Sequence, residues 1–146
     1  MQNIYDILFW NSCCSSAKSK AAHIYNNKGV TRTITPNKTR SFEAFIKGWL
    51  QLRFNRDPFQ EPLQFDLTFV FEVPKSYSKS RRLHCLSDHG RHTNKPDLDN
   101  LEKSVLDASE GILFYNDSQI CKKTSQKKWG EEPLIIMDFS VYEKIS

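Results

Sequence analysis

Leu63-Gln64-Phe65-Asp66-Leu67-Thr68-Phe69-Val70-Phe71-Glu72-Val73 sets apolar residues at every second position over eleven residues. Successive strand side chains point to opposite faces, so Leu63, Phe65, Leu67, Phe69, Phe71 and Val73 share one face and predict a half-buried strand. Such a face needs a cover. Just upstream, Phe42, Phe45, Ile46, Trp49 and Leu50 recur at i, i+3, i+4, i+7 and i+8, which predicts an amphipathic helix over 37–54. Thr35-Pro36 offers a cap and a first-turn proline for that helix. Its aromatic stripe reads as core. Asp57-Pro58 and Glu61-Pro62 mark the loop between helix and strand.

Downstream, Leu98, Leu101, Val105, Leu106 and Ala108 predict a second helix over about 98–109, which Gly111 ends. Residues 112–115 read as a short strand or turn. Residues 119–129 and 134–143 read as two strands joined at Gly130–Pro133. At the other end, residues 3–10 carry an imperfect strand pattern, and 11–34 are polar with a turn at Asn26-Asn27-Lys28-Gly29. Residues 74–95 read as a long basic loop. The order β-α-β-loop-α-β-β implies a single α+β domain over 1–146, a mixed β-sheet with helices packed on it. There is no internal repeat.

At 146 residues the chain suits one core. The balance of 21 Lys+Arg against 17 Asp+Glu gives a net charge of +4. Mean hydropathy of -0.59 is that of a protein with a large polar surface. No apolar run reaches the roughly 20 residues of a membrane span. Met1–Trp10 contains Asp6 and lacks a basic start, unlike a signal peptide. Cys13, Cys14, Cys85 and Cys121 have no disulfide-framework spacing, so the expectation is reduced thiols in a cytoplasmic protein.

Chemistry concentrates at Lys95-Pro96-Asp97-Leu98-Asp99-Asn100-Leu101-Glu102-Lys103, followed by Asn116-Asp117. Pro96 suits a helix entry, and Asp97 or Asp99 can cap its first turn. Asp99 and Lys103 are four apart and share a face. Carboxylates so placed in a basic chain suit a hard divalent cation beside a polyanion, with the lysine offsetting charge on phosphate oxygens. On spacing alone, a cap plus a solvated ion pair is the alternative. The basic residues Lys75, Lys79, Arg81, Arg82, Lys122, Lys123, Lys127 and Lys128 could form a phosphate-facing rim or a solvated face.

These residues resemble the RusA family of Holliday junction resolvases, whose signature reads K-P-D-[LI]-D-N-[LI]-x-K, then L-D-A, then D-D-x-Q-[VI]. Here they are Lys95–Lys103, Leu106-Asp107-Ala108 and Asn116–Ile120. Thr35–Glu43, Pro74–Lys79 and Lys127-Lys128-Trp129-Gly130 are similar to flanking family segments, so the resemblance runs from about residue 18 to near the C-terminus. It implies an endodeoxyribonuclease that nicks four-way DNA junctions in pairs as a homodimer. It implies Asp97, Asp99 and Asp117 as Mg2+ ligands, with Mn2+ as a substitute, and Lys103 as the catalytic lysine. Lys75, Lys79, Arg81, Arg82 and Lys127 become the expected DNA contacts. Two departures stand out. Asn116 replaces the family's usual Asp, and Lys18-Ser19-Lys20-Ala21-Ala22 stands where the family often has an arginine-bearing run.

Two further features belong to other classes. His84, Cys85, His89 and His92 are zinc-ligand types. They span nine positions without a partner pair at finger spacing, and read better as loop residues facing solvent or DNA. Tyr77, Tyr115 and Trp129 are packing residues or stacking platforms for unpaired bases. The alternative function is a branched-DNA-binding protein with weak or no cleavage. Retention of Asp97, Asp99, Lys103 and Asp117 together favours the enzyme, and a preference for flaps or forks is a third option.

Overall fold

The computed structural model describes residues 3–8, 22–25, 31–34 and 37–143, with side chains from Thr39 onward. In chain order the elements are β1 (Asn3–Leu8), β2 (Ala22–Tyr25), β3 (Thr31–Ile34), α1 (Asn37–Arg53), β4 (Leu63–Glu72), α2 (Lys79–Leu86), α3 (Leu98–Ser109), a single 3-10 turn (Asp117–Gln119), β5 (Ile120–Gly130) and β6 (Leu134–Val141). The main sheet is ordered β1-β6-β4-β5, and β2 and β3 form a separate antiparallel pair.

The expected strand is β4, and it is central. It runs antiparallel to β6 and parallel to β5. Leu63, Phe65, Leu67 and Phe69 are buried, while Asp66 and Glu72 on the opposite face are exposed. Phe42, Ile46 and Leu50 of α1 and Leu101, Val105 and Ala108 of α3 join those β4 residues in one core with Ile135, Met137 and Phe139 of β6. The rings of Phe54, Phe59, Phe65, Phe114 and Phe139 interlock there. Phe65 stacks on Phe139 at 5.5 Å between centroids and meets Phe114 edge-on at 5.7 Å, separations typical of favourable aromatic pairs.

A parallel neighbour cannot be joined by a tight turn, so β4 must reach β5 through a long crossover. That crossover, residues 73–119, carries α2, α3 and the whole acidic signature. The α3 helix runs antiparallel to β5. Pro96 at its start is bonded by Lys127, and Glu102 in its middle by Lys123 and Ser125. Gly111 (φ +80°) makes the turn after α3.

The structure corrects three expectations. Residues 74–95 are not one loop, because α2 lies within them, capped by Ser78, whose hydroxyl accepts from the Arg81 N–H. The polar stretch 11–34 contains the β2–β3 pair, while the turn expected at 26–29 and Cys13 and Cys14 lie outside the described residues. Phe45, assigned to the core stripe, is exposed; the buried stripe is the narrower Phe42, Ile46, Leu50. No described helix is long and apolar enough to cross a membrane.

Candidate active site

Asp97 is the N-cap residue of α3 by backbone conformation, but its side chain makes no cap hydrogen bond. It pairs instead with Lys95 at 3.2 Å, an exposed ion pair of little strength. Asp99 lies in the first turn of α3, and both carboxylates face solvent. Lys103, one turn further along, is also exposed. Its charge acts on Glu43 of α1, whose carboxyl is raised above its ordinary value by burial and by Asp107, against Ser104, Lys103 and Arg40, which pull it down.

The loop that delivers Asp97 is held from beneath. Lys127, reaching from β5, donates to the carbonyl oxygens of Asn94 and Pro96, both at 2.8 Å. Burial lowers the Lys127 pKa, and the Asp97 charge opposes that shift. The ammonium is therefore committed to positioning backbone, whereas the sequence assigned it to DNA. Arg82 is similar: it donates to the carbonyls of Val73 and Pro74 at 3.1 Å. Lys75, Lys79 and Arg81 remain exposed, and the Arg81 guanidinium lies 3.8 Å from the Tyr77 ring centroid.

Asp117 lies elsewhere. It opens the 3-10 turn at the start of β5. The Asn116 side chain accepts from the Ser118 N–H at 2.9 Å, and the Gln119 side-chain oxygen accepts from the N–H groups of Tyr115 and Asn116. Asn116 is thus a cap. Since α3 is antiparallel to β5, Asp97 sits near Lys127 while Asp117 adjoins Ile120. Those two β5 positions are seven residues apart, about 20 Å along a strand. Among the described residues, no three His, Cys, Asp or Glu side chains come close enough together to hold a metal ion. Within one chain Asp97, Asp99 and Lys103 therefore share the start of α3, and Asp117 does not join the two carboxylates in a metal-holding group. The chemistry of the pair still fits magnesium, which takes oxygen donors and is commonly held by one or two carboxylates plus water and substrate phosphate.

His84, Cys85, His89 and His92 also fail to gather around a metal position. His92 is buried, its ring stacked on Phe71 at 4.1 Å and tilted against Trp129 at 4.3 Å. Its Nδ1 is buried without a partner, and burial, aided by the Lys127 charge, lowers its pKa to about 4. The core role of His92 was invisible in the sequence; the alternation that continues from Phe71 to Val73 gave no sign of it.

An α+β domain that sets two exposed carboxylates and a lysine at a helix start, in a chain that also carries a basic helix, has the components of a phosphodiester-cutting protein. The comparisons agree. Residues 15–138 match the family model of endodeoxyribonuclease RusA, and the chain belongs to that family. It is also 34% identical over 102 residues, 68% of this chain and 72% of the relative, to the uncharacterized protein YqaN of Bacillus subtilis (strain 168).

Proposed function

We propose that this chain is a magnesium-dependent endodeoxyribonuclease that resolves four-way DNA junctions by paired nicking as a homodimer. Membership of the family, with Asp97, Asp99 and Lys103 exposed together on α3, is the observation that carries the reading. Asp97 and Asp99 would hold the cation, which when bound polarises the scissile phosphate and lowers the pKa of its water. Lys103 faces the same side as Asp99 and offsets charge on the phosphate oxygens. Lys127 fixes the backbone that presents Asp97. Lys75, Lys79 and Arg81 supply phosphate contacts that place the junction without reading its sequence.

Asp117 enters through symmetry. A two-fold axis relates two copies of the same surface, so the partner subunit's Asp117 would complete each site by lying beside Asp97 and Asp99 across the interface. Two such sites suit two symmetric nicks.

The experiment is cleavage of a synthetic four-way junction, against linear duplex, in magnesium and in EDTA. Paired nicks on the junction alone, lost in EDTA, are expected. Asp99→Asn should remove cleavage and keep binding; undiminished cutting by it would refute the reading. Mixing Asp97→Asn with Asp117→Asn protein should restore single nicks, because one of the two shared sites in the mixed dimer is then intact. If each site belonged to one chain, the mixture would stay inactive. Tight junction binding with no nicks in magnesium or manganese would favour a junction-binding protein instead.

A further inference from the structure

Beside the Asp97 loop lies a cleft of about 170 Å³, walled by Tyr77 and Trp129 and lined by Arg81, Arg91, Thr93 and Asn94 among others. From its residues we infer that it receives one unstacked nucleotide of the DNA, separate from the nucleotide whose phosphate is cut. The inference rests on the nuclease reading above for its choice of polymer.

The walls are the first argument. Tyr77 and Trp129 meet edge-on, with centroids 6.3 Å apart, and both are partly exposed. Trp129 is locked in place. Its indole N–H donates to the Arg91 carbonyl, and His92 and then Phe71 are layered behind it. A rigid aromatic backed by core is what a stacking platform needs, since every base has a π-face and stacking tolerates any sequence. The Arg81 guanidinium already lies on the Tyr77 ring, and such a plane can itself stack on a base.

Charge is the second argument. No residue lining the cleft is acidic, and two are arginines. A neutral ring could stack against the walls that Tyr77 and Trp129 present to the cleft while its phosphate meets a guanidinium. Thr93 and Asn94 offer a hydroxyl and an amide to the edge of the ring.

Position is the third. Asn94 lines the cleft, and its carbonyl is one of the two oxygens held by Lys127. Asp97 follows three residues later, no more than about 10 Å along the chain. A nucleotide in the cleft would therefore be a near neighbour of the scissile phosphate. At a branch point, where bases unpair most cheaply, capture of one base would set the register of the cut.

The test uses a six-nucleotide oligothymidine carrying one 2-aminopurine, whose fluorescence falls when it stacks on an aromatic ring, titrated with the full-length protein in EDTA. Quenching is expected for the native protein. Tyr77→Ala should weaken it roughly five- to a hundredfold, the range for loss of one base stack, whereas Tyr77→Phe should stay within about twofold. Unquenched fluorescence with the native protein, equal affinity of Tyr77→Ala, or displacement of the oligonucleotide by millimolar inorganic phosphate alone would each overturn the assignment. The two readings fail separately. Native protein that quenches the probe but leaves the four-way junction uncut removes the resolvase and keeps the cleft. Native protein that cuts the junction but does not quench removes the cleft alone.

Discussion

Replacing His92 by Phe tests whether the layer behind Trp129 is a neutral ring by necessity. His92 is 7% exposed, lies between Phe71 and Trp129, and has its pKa lowered from 6.5 to about 4 by burial and by Lys127. A lowered histidine pKa means that the unfolded chain binds a proton in a range where the folded chain does not. The folded state is therefore unpenalised above pH 6.5 and loses stability as pH falls from 6.5 through 4. Linkage gives a loss of about 2 kcal/mol by pH 5 and about 3 kcal/mol by pH 4. Phe keeps a flat ring in the slot and cannot take up a proton. Urea unfolding of both proteins between pH 7.5 and 4 isolates the histidine, since the other titrating groups are shared. The difference in unfolding free energy between His92→Phe and native protein should shift toward the variant by about 3 kcal/mol over that range. A difference that stays constant with pH would refute the reasoning, and so would an imidazole resonance of His92 that titrates near 6.5.

Three further outcomes follow from the packing. Gly90→Ala would place a methyl against the Cys85 backbone carbonyl and 2.6 Å from the His84 carbonyl oxygen; chemical denaturation should show a loss of about 2–3 kcal/mol. Phe65→Ala removes a ring shared by Phe114 and Phe139 and should cost about 3–5 kcal/mol by the same measurement. Lys127→Met leaves the carbonyls of Asn94 and Pro96 without their donor. It should cost about 1–3 kcal/mol, and junction cleavage should fall much further than junction affinity.

Legibility in the sequence tracked the strength of local pattern. The β4 strand, α1 and α3 were readable because their apolar residues repeat at 2.0 or 3.6 and their burial obeys that repeat. The α2 helix was not, because Lys79–Leu86 carries four basic or histidine residues and one buried side chain, Cys85. What holds it is a serine cap and the reach of Arg82 to two carbonyls, neither of which leaves a periodic trace. Phe45 fits the helical spacing from Phe42 and is still 43% exposed, because spacing marks a face of the helix and not how much of that face is covered. Asp97, Asp99 and Lys103 lie at the start of α3, the helix expected over about 98–109. The place of Asp117 depends on α3 running against β5, and spacing in sequence carries no information about that direction. Nor does a lysine's charge reveal that its ammonium is spent on backbone oxygens, as at Lys127.

The crossover from β4 to β5 has a consequence for the order of events in synthesis. Pairing of β4 with β5 is the last thing the intervening segment can wait for, since 47 residues separate the strands and β5 supplies Lys123, Ser125 and Lys127 as the anchors of α3. Closing a loop of that size is slow compared with forming a local helix. A nascent chain therefore carries every acidic residue of the signature before it owns the strand that aims them. A truncated or half-synthesised copy that ends before β5 thus has Asp97, Asp99 and Asp117 but lacks the Lys127 ties that hold the loop presenting Asp97.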